Sequence, residues 1–263
     1  MKSERVKKLA DTALKELTEA LAAGKSQTLT AYLAALARFH SYSFGNVMLI
    51  MMQKPDATQV AGFRTWKKLG RWVRKGEKGI VIIAPMISKS EDDNGEEQTL
   101  YRFRAVYVFD ISQTEGEDLP EPERIQGEAG QYITSIKTLI SERGISLEYA
   151  DDLGSADGLS EGGKITMKTN LQSAEEFGVL VHELAHEILH QDKATRPESK
   201  TVCETEAEAV AFVVSHAIGL DTGTASSDYI QLYNGDQNTL SQSLDRIQKT
   251  ATEIITALQT DEK

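Results

Sequence analysis

The sequence predicts an α+β protein of two domains, and three observations support this prediction. Apolar residues recur at helical spacing in both halves of the chain, and short β-branched stretches interrupt them. Charge is divided unevenly, because residues 1–110 hold 18 basic and 12 acidic side chains and residues 111–263 hold 11 and 28. Between these halves lies an acidic stretch with two of the five prolines and no apolar period. We therefore predict a first domain over residues 1–112, an acidic linker over 113–127 and a second domain over 128–263.

The first domain is predicted to be helical with one β-hairpin. Apolar spacing indicates three amphipathic helices, at residues 6–21, 29–36 and 44–52. The pattern then becomes that of strands, because residues 80–87 are β-branched and apolar and residues 100–109 alternate. The acidic string EDDNGEE lies between these two stretches. Two such stretches joined by a polar turn predict an antiparallel hairpin with an acidic tip.

The second domain is predicted to be mainly helical with a small β-sheet. An amphipathic helix at residues 132–140 ends at Gly144, and a short strand follows at residues 145–149. After a Gly-rich turn, residues 164–167 can pair as another strand. Three further apolar stripes predict helices at residues 174–190, 202–220 and 240–258.

Composition argues against several classes of protein. The single cysteine, Cys203, cannot form an intramolecular disulfide, which argues against a secreted, disulfide-stapled scaffold. Residues 1–21 carry charges every few positions and lack the apolar core of an export signal. The longest apolar stretch of the first half, residues 47–52, is far shorter than the roughly 20 residues that cross a bilayer. We therefore expect a soluble, cytoplasmic protein with no membrane partner.

The most specific motif is HELAH at residues 182–186, which lies within a helical apolar pattern. Residues four apart share one face of a helix, so His182 and His186 can bind one cation while Glu183 stands beside the open position. We predict Zn²⁺ there, with Glu183 as the general base that takes a proton from water. His190 lies about 12 Å along the helix from His182, too far to share the ion. The alternative is a solvated helix whose histidines face water or the core.

A third ligand is expected on the following helix, which is almost wholly apolar apart from Glu204, Glu206 and Glu208. Carboxylates at the start of a buried helix are costly unless a cation or the helix dipole compensates their charge. We predict Glu204 as the ligand and Glu208 as the group that orients a ligand histidine, while Glu206 points away. Alternatively, Thr201 and Glu204 form a capping box, and Glu208 becomes the ligand.

The first domain carries a strongly basic segment at residues 64–79. It holds seven basic side chains, one acid and both tryptophans of the chain. Cations attract phosphates irrespective of sequence, and aromatic rings stack on unpaired bases, so this mixture predicts binding of single-stranded DNA rather than duplex. The candidate contact residues are Arg64, Trp66, Lys67, Lys68, Arg71, Trp72, Arg74, Lys75 and Lys78. Alternatively, the aromatic residues anchor a solvated segment to the core.

Three longer strings resemble known families. HELAHEILH at residues 182–190 and ETEAEAVAFVV at residues 204–214 look like the metallopeptidase domain of ArdC-type antirestriction proteins and of the ImmA/IrrE-like gluzincin peptidases. Residues 42–85 are similar to the N-terminal single-stranded-DNA-binding domain of the ArdC family, and the order of the domains agrees. The resemblance implies a zincin-like second domain, a site for Zn²⁺ or for Mn²⁺ or another divalent metal, and DNA binding by the first domain.

The resemblance also implies a function. The function implied is that of a mobile-element antirestriction protein, which binds single-stranded DNA and carries a zinc-dependent endopeptidase site for an unidentified protein substrate. One alternative is a DNA-binding antirestriction protein whose metal site is structural or inactive, and another is a regulatory protease that cleaves a repressor. Glu183 favours an enzyme, because a structural zinc site has no need of a general base.

Overall fold

The computed structural model of the chain describes residues 3–23, 26–91, 97–119, 129–220 and 237–260. Their fold is α+β, which confirms the predicted class. None of the helices among these residues is long and apolar enough to cross a membrane. The chain divides into two compact units, Met1–Glu16 with Gly45–Pro120 and Leu17–Phe44 with Glu121–Lys263.

The first unit is built around the predicted hairpin. Strand β3 (Ile80–Glu91) pairs antiparallel with β4 (Glu97–Asp110), and residues 92–96 of the expected acidic tip at residues 91–97 lie outside the described residues. The short strand β1 (Val60–Gly62) pairs with the other edge of β4, which gives the order β1-β4-β3. Valine, isoleucine and aromatic residues fill much of both long strands, and these residue types favour the extended chain.

The described residues of the first unit include all or part of three α-helices besides this sheet. Helix α1 spans Ser3–Ala22, α3 spans Phe44–Gln53, and the short α4 spans Phe63–Lys68. Val6 of α1 and Leu49 of α3 pack against Val81 of β3 in a buried apolar cluster. The predicted helices at residues 6–21 and 44–52 are therefore confirmed, and the start of α1 and the middle of α3 pack on the sheet.

Helix α3 also protects the outer edge of β3. Asn46 donates a hydrogen bond to the carbonyl of Ile83 and accepts one from its N–H, both at 2.9 Å. Gln53 makes the same pair of 2.9 Å bonds with the backbone of Val81. An edge strand with unpaired backbone groups can recruit another chain, so these two amides take the place of a further strand.

The predicted acidic linker begins later than expected. Gln113 is buried, and strand β5 (Thr114–Gly116) pairs antiparallel with β2 (Arg71–Val73). Asp110 holds the turn before β5, because its carboxylate accepts hydrogen bonds from three backbone N–H groups. Such a short strand has no periodic pattern of its own and depends on tertiary pairing. The rest of the predicted linker, from residue 120 onwards, lies outside the described residues.

The second unit is mainly helical with a small sheet, as predicted. Its helices are α2 (Ser26–Arg38), α5 (Ala129–Glu142), α6 (Ser173–Leu189), α7 (Lys200–Ala217) and α8 (Gln237–Thr260). Strand β8 (Lys164–Lys168) lies between the parallel strand β6 (Ser146–Ala150) and the antiparallel strand β7 (Gly158–Ser160). The sequence did not predict β7, because three residues in a Gly-rich stretch are too few to show alternation.

The division between the units differs from the predicted one over Leu17–Phe44. Helix α2 packs against α7 of the second unit, and its Leu29, Leu33 and Leu36 are fully buried. Burial of a leucine side chain stabilises a fold by about 1.5–3 kcal/mol. Packing of this apolar face, rather than position in the chain, therefore places the segment in the second unit.

Candidate functional site

Helices α6 and α7 carry the residues of the predicted metal site. His182 and His186 lie one turn apart on α6. Helix α7 begins after Ser199, whose side chain caps it by accepting a hydrogen bond from a backbone N–H of the first turn. Because Ser199 is the N-cap, the alternative capping box of Thr201 and Glu204 does not start this helix. Glu204 instead lies in the second turn of α7.

The donor atoms of His182, His186 and Glu204 converge. Nε2 of His182 lies 3.1 Å from Nε2 of His186, and Oε2 of Glu204 lies 3.5 Å and 3.3 Å from these two nitrogens. Bonds of about 2.0–2.2 Å to a tetrahedral cation place its ligand atoms about 3.3–3.6 Å apart. The two distances to Glu204 have this spacing, and the two histidine nitrogens, 3.1 Å apart, need to separate only slightly. Imidazole and carboxylate are also donor types that divalent zinc and manganese accept. The three side chains therefore fit one divalent cation and leave further coordination positions open.

Glu208 of α7 lies beside the other ring nitrogen of His182. Its Oε2 is 3.4 Å from Nδ1 of His182. Burial lowers the pKa of His182, but the neighbouring carboxylates, Glu208 first among them, raise it by more. A carboxylate at Nδ1 favours the tautomer whose Nε2 lone pair is free. Within the described parts of the chain, the cluster of converging donors contains Glu204 and not Glu208.

Burial controls protonation at the centre of the site. It lowers the pKa of His186 to about 4, and the neighbouring His182 acts in the same direction. His186 is therefore neutral at neutral pH, which is the form that binds a cation. Burial raises the pKa of Glu183; His182 opposes this rise, while Glu204 and Glu187 add to it. A raised pKa makes the Glu183 carboxylate a better proton acceptor.

Strand β7 holds Glu183 in place. The backbone N–H of Ser160 donates a hydrogen bond to the Glu183 carboxylate. Gly158 leaves room for the same side chain, because a methyl group at this position would lie 2.7 Å from Cγ and from Oε1 of Glu183. It would also lie 2.7 Å from Cγ1 of Val179. This strand is thus a part of the site that sequence analysis missed, and a single glycine is its only local signal.

The Gly158→Ala variant is expected to lower the free energy of unfolding by about 1–3 kcal/mol, because overpacking forces Glu183 or Val179 to move. Urea denaturation followed by circular dichroism measures this change. The matched control is Gly130→Ala, in the first turn of α5, where an added methyl group meets nothing within 4 Å. That control is expected to be neutral or to stabilise by up to about 1 kcal/mol. Equal stability of Gly158→Ala and the wild type would contradict the close approach.

A cavity of about 600 Å³ opens beside these residues. Its walls come from β7, from α6 and from the start of α7 with the segment before it. The lining includes Leu159, His182, Glu183, His186, Arg196 and Glu204. Its volume falls in the range of known ligand-binding clefts, about 300–1,000 Å³. The donor atoms therefore lie where a substrate can reach them.

Two residues that sequence analysis set aside lie next to the site. Nδ1 of His190 is 3.0 Å from Nδ1 of His186, and Nε2 of His190 is 3.1 Å from Oε2 of Glu206. Both His190 and Glu206 are buried, and neither belongs to the converging donor cluster. The four-residue spacing of His182, His186 and His190 was the available signal, because it aligns the three rings on one face of α6.

The structure corrects two of the predicted DNA contacts, Trp66 and Arg71. Trp66 is only 2% exposed, and its Nε1 donates a 2.8 Å hydrogen bond to the carbonyl of Phe109. Arg71 is also buried and donates to Oγ1 of Thr114 and to the carbonyl of Glu117. Both side chains stabilise the first unit and are not available to a nucleic acid. For Trp66, the alternative of a core anchor is therefore correct.

The remaining predicted contacts form an exposed basic set. Arg74 already has partners, since it donates to the Glu77 carboxylate and to the backbone carbonyls of Ser112 and Thr114. The other exposed cations are Arg64, Lys67, Lys68, Lys75 and Lys78. Trp72 lies among them with 50% of its surface exposed. Helix α4 and the turn after β2 thus present the mixture of charge and aromatic surface that sequence analysis associated with single strands.

The first part of the chain matches a known family. Residues 4–109 match the family described as the N-terminal domain of anti-restriction factor ArdC. This range includes the exposed basic set and the hairpin. It ends before the helices that carry the converging donors.

A longer protein is similar in sequence to most of this chain. The uncharacterized protein pXO2-81 of Bacillus anthracis is 30% identical over 273 residues, an alignment that covers 85% of this chain and 46% of that protein. The chain therefore spans about half the length of this relative.

Solved structures of ArdC from plasmid R388 share the fold. The metal-free structure is 18% identical, with a TM-score of 0.56 over 96% of this chain and 98% of that chain. The Mn(II)-bound structure is 17% identical, with a TM-score of 0.55 over 96% of this chain and 97% of that chain. At these identities the likeness concerns the fold alone. Residues 4–109 thus match the ArdC N-terminal domain family, within a chain whose fold is similar to that of the R388 protein.

Proposed function

We propose that this chain is a mobile-element antirestriction protein of the ArdC type, with a single-stranded-DNA-binding first unit and a zinc-dependent endopeptidase site in the second. The observation that carries the peptidase proposal is the position of Glu183. Its buried carboxylate, with a raised pKa, lines the same open cavity as three donors that fit one cation. The match of residues 4–109 supports the antirestriction role, and the origin of the R388 protein supports a mobile element.

The residues of the site have distinct roles in this proposal. His182, His186 and Glu204 would hold the cation, and Glu208 would orient His182. A bound divalent cation supplies Lewis-acid chemistry, because it polarises a substrate carbonyl and lowers the pKa of water. Glu183 accepts a proton from the attacking water and returns it to the leaving amine. Its raised pKa brings both proton transfers closer to balance at neutral pH.

Strand β7 supports an extended peptide as the substrate. It is the edge strand of its sheet, in the order β6-β8-β7, and its residues line the cavity. An extended segment can add to a sheet edge through backbone hydrogen bonds, which do not depend on side-chain identity. Such binding would place a peptide bond of a longer protein beside Glu183. We therefore propose internal cleavage of an extended segment of a protein substrate.

Metal analysis tests the proposed site. We expect the wild type to bind about one equivalent of Zn²⁺ and His186→Ala to bind it at least about 100-fold more weakly, because a direct ligand is lost. His216→Ala is the matched control, since His216 is an exposed residue of α7 outside the donor cluster. Competition titration with a chelator measures the affinity, and parallel titration with Mn²⁺ identifies the preferred ion. Equal Zn²⁺ affinity of the wild type and His186→Ala would refute the site.

DNA binding by the first unit is supported by its exposed cations and by Trp72. Phosphates are expected to contact Arg64, Lys67, Lys68, Lys75 and Lys78. The ring of Trp72 is expected to stack on an unpaired base, which a duplex does not offer. Trp72→Ala is therefore expected to weaken binding of single-stranded DNA by about 1–3 kcal/mol, measured by fluorescence anisotropy of a labelled oligothymidine.

A further inference from the structure

A chain of buried polar groups leads away from the proposed metal site. It starts at Nδ1 of His186, which lies 3.0 Å from Nδ1 of His190. It continues from Nε2 of His190 to Oε2 of Glu206, a distance of 3.1 Å. Glu206 has no exposed surface, and His190 is buried as well. Both ring nitrogens of His190 are therefore engaged, one with a proposed ligand and the other with a carboxylate.

Glu206 is anchored from the opposite side by α8. Oγ of Ser243 donates a 2.5 Å hydrogen bond to Oε1 of Glu206, and the guanidinium of Arg246 donates to both carboxylate oxygens. The guanidinium of Arg246 is permanently charged and contacts both oxygens, so Glu206 is an ion-paired carboxylate, which can only accept hydrogen bonds.

The direction of the hydrogen bonds follows from this charge. Because Glu206 can only accept, Nε2 of His190 must carry a proton and donate it. An imidazole that carries its one proton on Nε2 has a free lone pair on Nδ1, so this atom of His190 accepts a hydrogen bond from Nδ1–H of His186. With its proton on Nδ1, His186 has its lone pair on Nε2. This is the atom that converges with His182 and Glu204.

We infer that Glu206, acting through His190, is a positioning residue that holds His186 in the tautomer whose Nε2 lone pair binds the cation. The inference rests on the proposed metal site. It assigns a role to two residues that do not themselves contact the cation. Outer hydrogen-bond partners of this type orient metal ligands in known sites, and their loss typically costs about 10- to 100-fold in metal affinity.

The isosteric variant Glu206→Gln tests the inference. Ser243 and Arg246 place their donors mainly around Oε1, so the amide oxygen is expected to occupy that position. The amide NH₂ then faces His190 and donates to its Nε2. This reverses both hydrogen bonds and puts a proton on Nε2 of His186, where it competes with the cation. We expect Zn²⁺ affinity to fall by about 10- to 100-fold.

A spectroscopic readout separates positioning from a merely structural role. Long-range ¹H–¹⁵N correlation spectra of the metal-free protein report which ring nitrogen carries the proton. In the wild type the His186 proton is expected on Nδ1, and in Glu206→Gln on Nε2. This measurement needs no bound metal. It therefore tests the hydrogen-bond direction even if the wild type fails to bind Zn²⁺, a result that would refute the proposed function instead.

A second variant keeps an acceptor next to His186. In His190→Asn the side-chain oxygen can occupy the position of Nδ1, so the His186 tautomer and Zn²⁺ affinity are expected to change little although stability falls. Glu175→Gln, at an exposed position of α6, is the matched control for Glu206→Gln. The inference is overturned if Glu206→Gln leaves the His186 proton on Nδ1, or if its Zn²⁺ affinity equals that of the wild type.

Discussion

Glu183→Gln is expected to slow peptide hydrolysis by about 100- to 10,000-fold, the range that a general base contributes. The amide has nearly the same shape as the carboxylate but cannot accept a proton from water. Zn²⁺ affinity is expected to stay near that of the wild type, because Glu183 is not one of the converging donors. Cleavage of a mixture of randomised peptides in the presence of Zn²⁺, read by mass spectrometry, measures the activity whatever the sequence of the natural substrate.

The comparison needs a control of the same chemistry. Glu175→Gln changes an exposed glutamate on the same helix and is expected to retain wild-type hydrolysis. Hydrolysis by Glu183→Gln at the wild-type rate would contradict the role of Glu183. Tight Zn²⁺ binding without cleavage by the wild type would instead favour a structural metal site. Cleavage that requires no DNA would be consistent with a regulatory protease.

Charge reversal of Lys67, Lys68 and Lys75 to glutamate is expected to weaken binding of single-stranded DNA by at least about 100-fold at moderate salt. The five exposed cations of the basic set are expected to neutralise about four to five phosphates, which predicts a slope of about −3 for log affinity against log salt concentration, because each neutralised phosphate of a single strand contributes about −0.7. Loss of three of these contacts is expected to reduce the slope to about −1. Anisotropy of a labelled oligothymidine, titrated at several salt concentrations, measures both quantities.

A second triple variant with the same change in net charge distinguishes loss of direct phosphate contacts from long-range repulsion between the protein and DNA. Lys8, Lys15 and Lys193 are also exposed, and their reversal to glutamate leaves the basic set intact. This control is expected to keep a slope near −3. If the wild-type slope is flat, or if both triple variants bind equally, the basic set is not the DNA-binding surface.

Local pattern predicted the elements of this chain well where they are long. Helices α6 and α7 and the β3–β4 hairpin were all expected, because stripes of apolar residues repeat over several turns or alternate over many residues. The three-residue strands β5 and β7 were not expected. Their stability comes from pairing with distant strands, and three residues carry too little pattern to reveal that pairing.

In the candidate site, too, some features follow from local spacing and others only from tertiary packing. The spacing of His182 and His186 on one helix was sufficient to select them, because a helix fixes which residues share a face. The position of Glu204 depended on where α7 begins, and the Ser199 cap decided it. His190 was set aside because it lies too far along α6 from His182, and Glu206 because it points away, yet tertiary packing joins them to His186.

The sequence by itself determined the α+β class, the two charged halves and the pair of histidines with its neighbouring glutamate, because these depend on composition and on helical periodicity. Only the tertiary structure decided which tryptophan is buried, where α2 packs and how Gly158 admits Glu183. Trp66 and Trp72 lie in the same basic segment, but one donates to Phe109 in the core and the other faces solvent. The physical reason is that burial and hydrogen-bond partners depend on segments that are distant in the chain and adjacent only after folding.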